Sequence, residues 1–234
     1  MRISDYITTG TSKRDKKSKK AIITIGLTIT SILLAVIVIV TFYGQFTGTY
    51  FIQISRETQN KGIVISETAD FANASSKLAM KPIEFANEYT EDHVLLNRDA
   101  ALNTDGQYYS ETTPEILAYT FYLKNYGTEI IDVNYFINVT QSINDLADAI
   151  MIKIYEVDLE TNILIEHESV GKSPSSNFIL TTQIKNFKPN NIRKLTMFVW
   201  LEGERTKPEM LGGRAKLSFV LTIANAEGGE IWEK

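Results

Sequence analysis

ILAYTFYLKNYGTEIIDVNYFINV, residues 116–139, is the stretch that decides the fold. Ile116–Leu123 is an apolar and aromatic run of strand length. Asn125-Tyr126-Gly127-Thr128 reads as a turn. In Ile130–Val139 the residues Val133, Tyr135, Ile137 and Val139 recur at every second position, which places them on one face of a strand. β-branched and aromatic residues fill both runs, as a pleated, half-buried surface favours.

The same grammar continues downstream. Ala149–Val157 alternates, with Ile150, Ile152 and Ile154 expected inward and Met151, Lys153 and Tyr155 outward. Ile163–Glu166 and Phe178–Thr182 are shorter strand candidates, and Asn144–Asp148 is a loop or a helical turn. Arg193–Gly203 and Ala215–Ile223 are long strands on either side of a loop with Pro208 and Gly212-Gly213. Upstream, Tyr50–Ser55 and Lys61–Glu67, with the polar turn Glu57–Lys61 between them, suggest a hairpin. From Thr68 to Thr113 the apolar residues come singly or in short runs, and Asn97–Thr113 reads as loop around Asp105-Gly106. About eight strands, frequent turns and no helical pattern in this part predict an all-β fold, an antiparallel jelly-roll-like or Ig-like β-sandwich.

A different segment precedes it. Ala21–Tyr43, AIITIGLTITSILLAVIVIVTFY, has no charge and no Pro. About 20 such residues, as a helix, cross a hydrocarbon core of about 30 Å. The hydroxyls of Thr24, Thr28, Thr30, Ser31 and Thr41 can bond back to the preceding turn, so they cost little in lipid. A single strand would leave its backbone unpaired there, so helix is the expectation despite the β-branched composition. Seven basic and two acidic side chains give residues 1–20 a net charge of +5, which leaves −9 for the rest of a chain whose total is −4. Positive charge on one flank predicts a cytoplasmic N-terminus and an extracellular C-terminal domain. Tyr43, Phe46, Tyr50 and Phe51 are placed like an interfacial aromatic belt. A cleaved signal peptide is the rival reading. The run is longer than a usual h-region and lacks an A-x-A site, although Gly44, Thr47 and Gly48 are small. The expected organisation is a basic cytoplasmic tail (1–20), a transmembrane helix (21–43) in contact with the lipid bilayer, a linker (44–49), an extracellular β-sandwich (50–225) and a C-terminal tail (226–234).

Charge and composition narrow the function. An acidic domain argues against nucleic acid, which needs clustered Lys and Arg, and against anionic lipid. The absence of Cys removes disulfides, thiol catalysis and Cys-ligated metals, and fits a Gram-positive bacterium. The only histidines are His93 and His167. His167-Glu168 opens like a zinc-protease motif, but Gly171 stands where the second His is needed. Asp99, Asn103 and Asp105 offer oxygens for a loop calcium site near Asp99–Asp105, without EF-hand spacing. Glu166 and Glu168 are a carboxylate pair on one strand face, of the kind any acidic surface offers. Trp200, flanked by apolar residues on both sides, reads as core packing rather than a sugar platform, and Tyr108-Tyr109 as an exposed contact. Asn73-Ala74-Ser75 and Asn138-Val139-Thr140 match the glycosylation pattern, which means nothing in a bacterium. No catalytic, cofactor or metal residue is assigned, and no enzyme is expected.

Three stretches together carry a family likeness: Ala118–Gly127 (AYTFYLKNYG), Asp148–Tyr155 (DAIMIKIY), and Phe198–Gly203 (FVWLEG) with Gly212–Thr222 (GGRAKLSFVLT). In this order they resemble the camelysin/TasA-like exported β-sandwich proteins of Gram-positive bacteria. The resemblance implies a jelly-roll-like domain at the cell surface or in a biofilm matrix, where some members form fibres by strand exchange. Two departures favour a monomeric tethered domain: the long hydrophobic run, and Glu204–Leu211 (ERTKPEML) without the Cys of relatives. Camelysin has been classed with metalloproteases, but no H-E-x-x-H is present here to carry that over. The expected role is a non-catalytic surface protein that meets a protein or cell-wall partner or contributes to matrix. The alternatives are a metal-dependent envelope hydrolase or an accessory subunit of a membrane complex.

Overall fold

The computed structural model describes residues 24–34, 50–173 and 176–223. The chain divides into two compact units, residues 1–47 and 48–234. In the first, residues 24–34 form a helix, α1. The hydroxyls of Thr28, Thr30 and Ser31 each donate to the carbonyl four residues back at 2.9 Å, as the expectation for an apolar helix requires. Among the described residues no helix is long and apolar enough to cross a membrane. The rest of the 21–43 stretch, the 1–20 tail, the 44–49 linker and the 226–234 tail lie outside the described residues.

The second unit is mostly β, and two sheets form a sandwich-like arrangement. The first sheet has the order β11 (Phe178–Phe187), β7 (Ile131–Ile143), β13 (Arg214–Ile223), β1 (Tyr50–Ile54), β3 (Lys77–Met80). The second runs β10 (Val170–Gly171), β8 (Ile150–Asp158), β12 (Ile192–Glu202), β6 (Leu117–Asn125), β2 (Ile63–Ser66). Three short strands join the second sheet: β9 (Ile163–Glu166) on β8, β5 (Gly106–Tyr108) on β6 and β4 (Glu88–Tyr89) on β12. The alternation read in β7 is observed: Val133, Tyr135, Ile137 and Val139 are buried and the residues between them less so. Their faces meet Ile150, Ile152, Ile154, Leu195, Met197 and Val199 of the opposite sheet in one core. At its centre Tyr135 stacks on Phe219, and Phe121 meets Phe219 edge-on, both with centroids 5.5 Å apart.

Four expectations need correction. The pairing is not purely antiparallel: β1 runs parallel to β13, and β4 parallel to β12. The first two strands form no hairpin. β1 and β2 lie in different sheets, joined by the short helix α2 (Arg56–Asn60). The reason is local: Ser55 caps that helix by accepting from the Thr58 N–H at 3.2 Å, and Thr58 is buried.

A 12-residue helix, α3 (Glu91–Leu102), occupies the region read as irregular and the start of the expected 97–113 loop. It covers the outer face of the second sheet. Val94 and Ala101 pack there against Ala118, Tyr155, Phe198 and Trp200. Thr120 donates to the Ala101 carbonyl at 3.0 Å, and the Lys194 ammonium caps the Leu102 carbonyl. That helix explains the fourth correction. Lys153 and Tyr155 point outward from the core but are buried beneath it. Trp200 is packing, as expected, with its indole N–H donating to Glu202 at 3.0 Å.

Candidate functional site

The polar chemistry concentrates on the two faces of β8 near its end. Ile150, Ile152 and Ile154 face the core, so the period of two carries Glu156 and Asp158 inward as well. Both carboxylates are buried, at 3% and 7% exposure. The antiparallel register sets Arg193 of β12 directly opposite Asp158 and next but one to the partner of Glu156. Arg193 Nη1 lies 2.6 Å from Asp158 and 3.9 Å from Glu156, the first a charge-assisted hydrogen bond and the second a longer ion pair. Asn191 donates to Asp158 at 3.2 Å and to Glu160 at 2.9 Å. Following β9, His167 turns its Nε2 inward to within 3.4 Å of Glu156 and 3.1 Å of the Tyr135 hydroxyl, which comes from the other sheet. Burial, and then the negative Glu156, push the Tyr135 phenol well above its usual value.

The outer face carries the second cluster. Lys153 extends under α3 and pairs with Glu91 of its first turn at 2.7 Å and with Glu166 of β9 at 2.8 Å. Burial alone would lower the lysine, but hydrogen bonds to Glu166 and Glu91 outweigh it and raise it. Glu91 is held low in return, chiefly by Lys153. Adjacent residues of one strand end, Glu166 and His167, thus serve opposite faces of the sheet.

His167 bridges a buried carboxylate of its own sheet and a phenol of the opposite one. Tyr135 is fully buried against Phe219, so no reacting atom can approach that side. The cluster works as a cross-link between the sheets.

The other residues singled out from the sequence disperse. His93 accepts from the Thr90 N–H at 3.3 Å and stacks edge-on with Tyr89, a helix-start role. Asp99 lies within α3 and pairs with Arg98. Asn103 ends the helix by donating to the Asp99 carbonyl, and Asp105 accepts from the Tyr122 hydroxyl at 2.5 Å. The oxygens offered for a loop calcium site thus have separate partners within and after α3. Among the described residues no group of three His, Asp or Glu side chains is placed to hold a metal. Glu168 falls beyond the end of β9, so the Glu166/Glu168 pair does not share a strand. Tyr109 is exposed, as expected, and Tyr108 half-buried. A shallow cleft of about 650 Å³ lies where α2 meets the β6–β7 turn, crossed by the exposed Lys61–Glu129 pair at 2.8 Å. The sequence reading missed Glu156, Asp158, Arg193 and Tyr135 as a unit. The signal was there in part, since the inward parity of β8 continues onto two carboxylates.

These groups make stability depend on pH at both ends. Burial opposes the charge of Asp158, but the N–H groups of Glu160 and Thr161, the Asn191 amide and Arg193 outweigh it and hold the carboxyl below its usual range. Its contribution is present above the unfolded value of about 3.9 and is lost as pH falls through the depressed folded value. Lys153 works the other way: its contribution is present below about 10.4 and is lost as pH rises through the raised folded value. Denaturant midpoints across a pH series are expected to form a plateau that falls at both ends. Asp158→Asn should flatten the acid limb; an unchanged acid limb would refute the assignment.

The chain is thus a two-sheet β protein with buried charge clusters on both faces of β8. Comparison with protein-family models, with curated proteins and with solved structures gives no match for it.

Proposed function

We propose that the protein is a membrane-anchored, extracellular β-sandwich of the Gram-positive cell surface, related to the camelysin/TasA-like group and non-catalytic. The observation that carries this is the uncharged 21–43 stretch behind a +5 segment, followed directly by an acidic, cysteine-free β unit. The helical conformation of residues 24–34, with its hydroxyls bonded back to the chain, supports a lipid-spanning role for the stretch. The strand order supports a jelly-roll-like topology. From β6 to β13 the long strands alternate between sheets, β6, β8 and β12 in one and β7, β11 and β13 in the other. The parallel placement of β1 is a departure from the antiparallel pattern. The sandwich offers its surface to a protein or cell-wall partner and uses its buried charges for its own cohesion.

The cysteine-free sequence makes a direct test simple. Single variants Tyr109→Cys and Ser12→Cys are expressed in intact Gram-positive cells and treated with a membrane-impermeant maleimide. Tyr109→Cys is expected to label on intact cells and Ser12→Cys only after permeabilisation, both remaining with the membrane fraction. Labelling of Ser12→Cys on intact cells, or release of the β unit into the medium, would sink the anchored reading.

A further inference from the structure

The two sheets differ on the outside. α3 covers the outer face of the second, whereas the outer face of the first leaves Gln53, Ala79 and Thr181 exposed. The register of the first sheet lines up its outward side chains in rows across the strands. Thr181, Phe136, Val220, Gln53 and Lys77 form one row from β11 to β3. Phe178, Asn138, Ser218 and Phe51 lie in the row on one side of it, and Gln183, Asn134 and Thr222 in the row on the other. Val133, Tyr135 and Ile137, which alternate with them along β7, belong to the core, so the period of two turns these rows outward. Across the five strands, at about 4.8 Å each, a row is about 19 Å wide.

This face is nearly uncharged on an acidic chain. Residues 21–234 carry a net charge of −9, yet Lys77, on the edge strand, is the one charged side chain in the three rows. Its ammonium lies 3.6 Å over the ring of Phe51. What the face offers instead is phenyl rings and neutral hydrogen-bonding groups. Phe136 and Phe178 meet edge-on with centroids 5.6 Å apart, and Phe178 is 38% exposed. Gln183 donates to Asn134 at 2.8 Å, and the side-chain oxygen of Asn138, in the row of Phe178, has no partner. A phosphate- or carboxylate-bearing polymer would find a single lysine here and repulsion from the rest of the chain. A pyranose fits better. The C–H faces of its ring are apolar and lie on phenyl rings, its hydroxyls both donate and accept, and it carries no charge.

We propose that the outer face of the first sheet binds a neutral polysaccharide chain, with its sugars stacked on Phe136 and Phe178 and hydrogen-bonded to Asn134, Asn138 and Gln183. The rings supply contact area and the amides fix the orientation. This deepens the surface-protein reading by giving the chemical class of its cell-wall partner.

The test is titration calorimetry of the full chain in a polyoxyethylene detergent, which has no sugar headgroup, with cellohexaose and chitohexaose as probes. Saturable binding of at least one hexaose is expected. Phe136→Ala and Phe178→Ala should each weaken it by about tenfold or more. Gln183→Leu, which keeps the rings and the volume, should weaken it as well, so that a poorly folded phenylalanine variant does not decide the matter alone. Leu96→Ala, at an exposed position of α3, should leave it unchanged. No saturable binding of either hexaose, binding untouched by the face variants, or an equal loss in Leu96→Ala would overturn the proposal. A dimer of the full chain that dissociates in Phe178→Ala, without hexaose binding, would assign the face to a second copy and also overturn it. Each of these results leaves the anchored reading standing, since maleimide labelling of intact cells tests that separately.

Discussion

Arg193→Met is expected to cost about 3–5 kcal/mol of folding free energy, the range for leaving a buried ion network without one partner. Arg193 is the cation between Glu156 and Asp158, and both carboxylates are buried. Methionine fills similar space but leaves two negative charges side by side on one face of β8 at the end of the core. Urea unfolding of the full chain in detergent, followed by the fluorescence of buried Trp200, measures the loss. Adding Glu156→Gln and Asp158→Asn to Arg193→Met should recover most of it, because the penalty lies in uncompensated charge rather than lost volume. If the triple variant is as unstable as the single one, the cluster is packing and the electrostatic account fails.

Asn125→Ala is expected to cost about 3 kcal/mol, since it orphans several backbone groups at once and each buried one is worth about 1–3 kcal/mol. The side chain is fully buried. Its amide donates to the carbonyls of Glu129 at 3.0 Å and Phe187 at 2.9 Å, and its oxygen accepts from the Gly127 N–H at 2.8 Å. One residue thus ties the β6–β7 turn to the end of β11. Asn125→Asp separates this network from simple turn preference. Aspartate is nearly as good as asparagine in turns, but here it would aim a carboxylate at two carbonyl oxygens. A mild effect of Asn125→Asp on the same unfolding curves would refute the network. The adjacent Gly127 cannot be replaced cheaply either: a Cβ there would lie 2.1 Å from the Lys61 carbonyl oxygen.

The long strands were legible because their period matches the pleat. β7 alternates along most of its length, and β9 has the boundaries expected of it. What hid was whatever the pleat does not encode. In α3 only Val94, Asn97 and Ala101 are buried, while Leu95 and Leu96 are exposed, so the apolar pattern does not follow the helix face. The usable signal was at its start, where Thr90 precedes Glu91 and Asp92. β1 and β2 alternate well enough to suggest a hairpin, and only Ser55 and Thr58, a cap and the buried residue whose N–H donates to it, mark the helix between them. The inward cluster was half legible. Parity places Glu156 and Asp158, but nothing near His167 points to Tyr135, which folding brings from the opposite sheet. Covering the second sheet with α3 also turns Tyr155 and Lys153 from expected surface into interior, a tertiary effect that no local pattern records.

The parallel neighbours β1 and β13 bear on how the domain takes load. Phe51 to Ile54 lie beside Ser218 to Leu221, and both strands run from the same pole. A pull between Tyr50 and Ile223 therefore acts along the shared ladder in opposite directions. Its backbone bonds are sheared together instead of being unzipped one after another, so the domain's resistance to force depends on the direction of the pull.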